Sequence, residues 1–118
     1  MLTIATESIH GVPVLRVAGS IERGQSNDDF VSTIGRLFES SRIVICDVSG
    51  VASIDSTGIA ALIVAHKLAR SMAGRFALVR LSPKVQSILT VTRLIDILDV
   101  FADENAALKA TQDGRQGT

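Results

Sequence analysis

Residues 42–81 begin Arg42-Ile43-Val44-Ile45-Cys46-Asp47-Val48 and end Arg75-Phe76-Ala77-Leu78-Val79-Arg80-Leu81, with Ile59 to Ser71 between them. The two outer pieces are short and almost continuously apolar. That pattern fits strands buried on both faces of a sheet. The middle piece has helical length and is closed by Gly74, a residue suited to the left-handed position after a helix. Strand, helix and strand form a βαβ unit, which implies parallel pairing and a right-handed crossover. Ser49 to Asp55 reads as the loop that leaves the first strand.

The same reading extends in both directions. Downstream, Ser82-Pro83 is an N-cap followed by proline at the first helical position. It opens a third helix with Val85, Ile88 and Leu89 facing the core. Ile97 to Phe101 reads as a brief last strand, and Asp103 caps a final helix through Ala110. Upstream, Leu2–His10 and Val12–Ala18 flank Gly11 and read as a hairpin turning at His10-Gly11. Gly19 ends its second strand. Ser26-Asn27-Asp28-Asp29 resembles a capping box. Phe30, Ile34, Leu37 and Phe38 then recur at helical spacing over about Asn27 to Ser40. The expected fold is α/β: a mixed sheet with an N-terminal antiparallel hairpin, parallel βαβ units and about four helices. One domain is expected over residues 1–110, and residues 111–118 read as a polar, frayed tail.

Composition narrows the function. The chain has 118 residues, 47% of them apolar, which supports one domain with a real core. Twelve basic and twelve acidic residues give zero net charge, which argues against direct nucleic-acid binding and a polybasic membrane anchor. There is no Trp or Tyr on which bases could stack. No run is long and apolar enough for a membrane span, and the N-terminus lacks signal-peptide character. The cytoplasm is the expected compartment.

Catalytic constellations are missing. Phosphate-loop and nucleophile-elbow glycine patterns do not occur. His10 and His66 have no partner at metal-ligand spacing and read as turn and surface residues. No metal or cofactor is expected. Cys46 sits inside an apolar run and reads as a small core residue. In Asp55-Ser56-Thr57-Gly58 one residue separates the aspartate from the Thr-Gly pair, so the aspartic-protease signature is not met.

Asp47 to Leu62 is the informative stretch. It leaves the carboxyl end of a buried strand, the edge where open α/β sheets meet ligands and partners. It then enters a helix at Asp55-Ser56-Thr57. Two readings of Ser56 stand side by side. As an N-cap, its oxygen would accept a backbone N–H. As a phosphorylation site, it would place a phosphate before unpaired N–H groups at the positive end of the helix. The run Ile59-Ala60-Ala61-Leu62-Ile63-Val64-Ala65 is more apolar than one buried face requires, so part of it is expected at the surface.

These residues resemble a known family. Asp47-Val48-Ser49-Gly50-Val51 followed by Ile54-Asp55-Ser56-Thr57-Gly58-Ile59 looks like the STAS domain, and more narrowly the bacterial anti-sigma-factor antagonists. The likeness continues through Gly74–Val79, Ser82-Pro83-Lys84-Val85 and Val100–Leu108. The resemblance implies a non-enzymatic protein that binds an anti-sigma factor with serine-kinase activity. It implies phosphorylation of Ser56 by that kinase and reversal by a serine phosphatase. Glu22, Asp55, Thr57, Gly58, Ile59 and Leu62 are the partner-binding residues expected on this basis. A STAS scaffold or subunit of another complex, without a Ser56 switch, is the alternative: stressosome-type, lipid transport or nucleotide-responsive. The chain departs from the family at Gly19-Ser20-Ile21-Glu22, where Gly-Glu-Leu-Asp is usual, and in the next segment, which lacks Thr-Ala. It departs again at Thr92-Arg93-Leu94, where Thr-Gly-Leu is frequent.

Overall fold

The computed structural model describes residues 2–113. A five-stranded sheet runs in the order β1 (Leu2–Ile9), β2 (Val12–Ile21), β3 (Ile43–Ile54), β4 (Arg75–Val79) and β5 (Asp99–Phe101). β1 and β2 are antiparallel; every later neighbour is parallel. His10 and Gly11 both adopt positive φ, 53° and 79°. Positive φ at both central residues is the signature of the turn that matches strand twist in two-residue hairpins.

Helices α1 (Gln25–Ser40), α2 (Ser56–Ser71) and α3 (Pro83–Val91) connect successive parallel strands. Right-handed crossovers in a sheet of sequential order place all three on one face. α4 (Glu104–Asp113) follows β5 and packs on the other face. This explains the continuous apolar runs. In β3, Val44, Cys46 and Val48 enter the large core under α1–α3, whereas Ile45 joins the small core under α4. In β4, Phe76 and Leu78 face the first core, and Ala77 and Val79 the second.

Several boundaries differ from the sequence reading. β2 does not end at Gly19 but runs on to Ile21, and β5 starts at Asp99 instead of Ile97. β3 does not stop at Val48. It continues to Ile54 because β2 stays beside it, with Ala18 opposite Gly50 and Ile21 opposite Ile54 across two register irregularities. α1 is not capped by Ser26. Its N-cap is Gly24, and the Ser26 hydroxyl turns back to donate to the Glu22 carbonyl at 3.0 Å. α4 runs to Asp113, so residues 111–113 prolong the helix. Residues 114–118 of the expected tail lie outside the described residues.

The capping expectations for α3 and α4 hold. Ser82 caps α3 by accepting the Val85 N–H at 3.3 Å, and Asp103 accepts the Ala106 N–H at 2.9 Å. Arg93, where the resemblance puts a glycine, keeps the left-handed conformation at φ 66°. An L-residue there costs about 1–2 kcal/mol. Cys46 is fully buried, and desolvation pushes its thiol up out of the reactive range. His66, expected at the surface, is instead buried on the inner side of α2.

Candidate functional site at the start of the second helix

β2 and β3 run parallel, so their carboxyl ends lie together, and α1 and α2 start from that edge. Asp55 ties the two connections. Its backbone is extended and its N–H donates to the Ile21 carbonyl at 3.2 Å. One carboxylate oxygen accepts the Gly58 N–H at 3.0 Å; the other accepts the Arg23 N–H at 2.9 Å. The N-cap of α2 is therefore Asp55, one residue before the serine that the sequence offered for that task. The N–H of Arg23 and then that of Gly58 hold the Asp55 carboxyl below its ordinary value. It is a carboxylate at neutral pH.

Ser56 is the first residue of α2 and is exposed. Among the described residues its hydroxyl has no hydrogen-bond partner. Of the first-turn N–H groups that the sequence reading left unpaired, that of Gly58 is already bound by Asp55. Thr57 is half-buried. Gly58 is buried against the end of β2. A Cβ there would lie 2.7 Å from the Ile21 carbonyl oxygen and 2.6 Å from the Ile54 side chain. Only glycine lets the first turn of α2 approach β2 this closely.

Ile59 is half-buried against the main core. Leu62 is fully buried there and has no surface to offer a partner, which corrects its expected role. The large apolar side chains that α2 does expose are Val64 and Leu68, beside Val31 of α1. The seven-residue apolar run hides this division, because without alternation it cannot show which side faces inward.

Glu22 is exposed in the loop after β2. Its carboxylate lies 3.3 Å from the Ser53 hydroxyl, which is itself 2.8 Å from the Ser20 hydroxyl. The structure thus gathers Glu22, Asp55, Ser56, Thr57 and Gly58 on one edge. It adds Arg23, Ser20 and Ser53, which the sequence reading did not single out. The Arg23 contribution runs through its backbone N–H, which residue type does not reveal.

A second charged cluster lies across the sheet. The Arg16 guanidinium is 2.6 Å from Glu7, Asp47 and Glu104 carboxylates. Arg80 is 2.7 Å from Glu104 and 3.9 Å from Asp47. Asp47 and Glu104 are buried, and Asp47 also accepts the Ser49 N–H at 2.9 Å. Burial pushes the Glu104 carboxyl up, but hydrogen bonds from Arg80, its own N–H and Arg16 outweigh this and hold it at about 2. Every member is paired with another, so the cluster acts as a clasp between α4 and the sheet.

Among the described residues no group of three His, Cys, Asp or Glu side chains could hold a metal ion. No helix among them is long and apolar enough to cross a membrane.

Comparison with known proteins places this geometry. The chain is similar in structure to a candidate anti-sigma factor antagonist of Thermotoga maritima, with a TM-score of 0.83 and 21% identity, over 92% of this chain and 94% of that one. It is also similar to an anti-sigma factor antagonist from Mycobacterium paratuberculosis, with a TM-score of 0.79 and 23% identity, over 95% of each chain. The Bacillus protein SpoIIAA is similar in two forms. The unphosphorylated form gives a TM-score of 0.77 and 18% identity, over 94% of this chain and 97% of that one. The phosphorylated form gives 0.70 and 16%, over 92% and 99%. At these identities the likeness establishes the fold. No curated protein sequence matches significantly. The sequence profile of the STAS domain, however, matches residues 3–107: the chain belongs to the STAS-domain family.

Proposed function

We propose that this protein is an anti-sigma-factor antagonist switched by phosphorylation of Ser56. In the unphosphorylated state it binds an anti-sigma factor that is also a serine kinase. The kinase transfers a phosphoryl group from ATP to the Ser56 hydroxyl, and binding ends. A serine phosphatase restores the binding form. The protein is the substrate in this cycle and carries out no catalysis itself, and its place is the cytoplasm.

The observation that carries this reading is the division of labour between Asp55 and Ser56. Asp55 makes the cap, so the serine hydroxyl has no task in holding the helix. An exposed hydroxyl on a helix already fixed by its neighbour can gain or lose a phosphate without unfolding the domain. The phosphate would place close to two negative charges beside Glu22 and Asp55, on the surface offered to the partner. The likeness to SpoIIAA, a protein with both phosphorylated and unphosphorylated structures, supports the same reading.

The test is a comparison of Ser56→Ala and Ser56→Asp. Both should fold. The alanine variant should retain an ATP-binding serine kinase from native extracts, and the aspartate variant should release it. Equal retention of that kinase by the two would refute the switch and favour a constitutive STAS scaffold.

A further inference from the structure

The chain carries a cation beside its own phosphorylation site. Arg23 is bound through its backbone N–H to Asp55, the residue next to Ser56 in the chain. Adjacent Cα atoms lie about 3.8 Å apart, so the Arg23 backbone is anchored to the residue next to Ser56. Arg23 is exposed, and among the described residues its guanidinium makes no ion pair. Its charge is already felt at the site, where it helps to hold the Asp55 carboxyl ionised.

A phosphate on Ser56 would need such a cation. It would carry about −1.5 to −2 charges and stand beside the Asp55 carboxylate, with Glu22 on the neighbouring loop. The Gly58 N–H that could have received it is held by Asp55 at 3.0 Å. The helix terminus is thus largely spent on the aspartate, and two carboxylates oppose the new charge. Arginine is suited to relieve this, because its planar fork pairs with phosphate oxygens in bidentate fashion.

We propose that Arg23 closes onto the phosphate of phosphorylated Ser56 and latches the β2–α1 loop to the start of α2 in that state. The latch rests on the reading of Ser56 as a modification site and adds a regulatory element within the same chain. In the unphosphorylated state the side chain is free to face a partner. In the phosphorylated state it would be drawn inward, so the modification removes a positive charge from the contact surface as well as adding a negative one.

The test needs no kinase. The full chain is prepared with phosphoserine installed at position 56, and the phosphate is titrated by phosphorus NMR. The same is done with Arg23→Gln, which keeps the backbone N–H to Asp55. The guanidinium favours the dianion, so the second phosphate ionisation should rise by about 0.5–1 pH unit when Arg23 is replaced. Arg23→Lys should recover part of the difference. The unphosphorylated Arg23→Gln protein should melt with the parent chain, separating the latch from a general structural role. Coincident titration curves for Arg23 and Arg23→Gln would overturn the latch and leave phosphorylation of Ser56 untouched. Absence of phosphate on Ser56 in native cells would instead remove the regulatory reading, whatever the titration shows.

Discussion

The two charged regions of this domain use the same residue types to opposite ends. Across the sheet, Arg16 and Arg80 meet Glu7, Asp47 and Glu104, and the two carboxylates nearest the core are buried and paired. At the carboxyl edge of β2 and β3, Asp55 is satisfied by backbone N–H groups, while Ser56, Glu22 and Arg23 face solvent. The first region closes on itself and fastens α4. The second spends one carboxylate on geometry and leaves its neighbours available. A side chain relieved of structural work is one that a kinase or partner can use.

The largest effects are expected on the buried side. Leu62→Ala should cost about 2–5 kcal/mol, because Leu62 is fully buried in the main core; denaturant unfolding measures this. Asp47→Ala should cost about 2–3 kcal/mol. That is less than the loss from breaking a fully buried pair, because Arg16 remains partly exposed and hydrated. A change within about 0.5 kcal/mol would mean that the clasp does not fasten the fold.

Acid sharpens the contrast next. The Glu104 carboxyl is held at about 2 in the folded chain, against an ordinary value of 4.5. A depressed folded value stabilises the protein fully above about pH 4.5, and that stabilisation fades as pH falls toward 2. Glu104→Gln should therefore lose less stability than the parent chain between pH 6 and pH 3, measured by urea unfolding at each pH. Asp55 is shifted in the same direction and contributes a second loss in acid.

The smallest effects lie at the carboxyl edge of β2 and β3. Asp55→Ala removes the cap and the tie to Arg23, so it should lower the melting temperature visibly, though less than Asp47→Ala. Ser56→Ala should leave stability within about 0.5 kcal/mol, since its hydroxyl caps nothing. Thermal melts of the pair distinguish them: a larger loss from Ser56→Ala would return the capping role to the serine.

Much of the architecture was legible because burial on two faces leaves a plain mark. The runs at 43–46 and 76–79 are apolar throughout because alternate residues serve two cores. Ser82-Pro83 marked its helix for an equally local reason: both residues fit one backbone geometry. What stayed hidden depends on distant partners or on single backbone angles. The extension of β3 through Ser49-Gly50 follows from pairing with Ala18 to Ile21, some thirty residues earlier. Asp55 and Ser56 are both good capping residues, and only the extended backbone at Asp55 assigns the cap. Arg23 reaches the site through an N–H that nearly any residue would supply. Leu62 and Ile59 belong to one unbroken apolar run, and packing against the sheet separates them. The motif therefore put the candidate residues together at the carboxyl edge of β2 and β3, but the contacts among them needed the geometry.

Phosphopeptide mapping of the protein from its native cells, with phosphatase inhibitors present, tests whether Ser56 is a phosphorylation switch. Phosphate is expected on Ser56 in a fraction of the chains that changes with growth or stress. Recovery of the Ser56 peptide in unmodified form only, across those conditions, would contradict it.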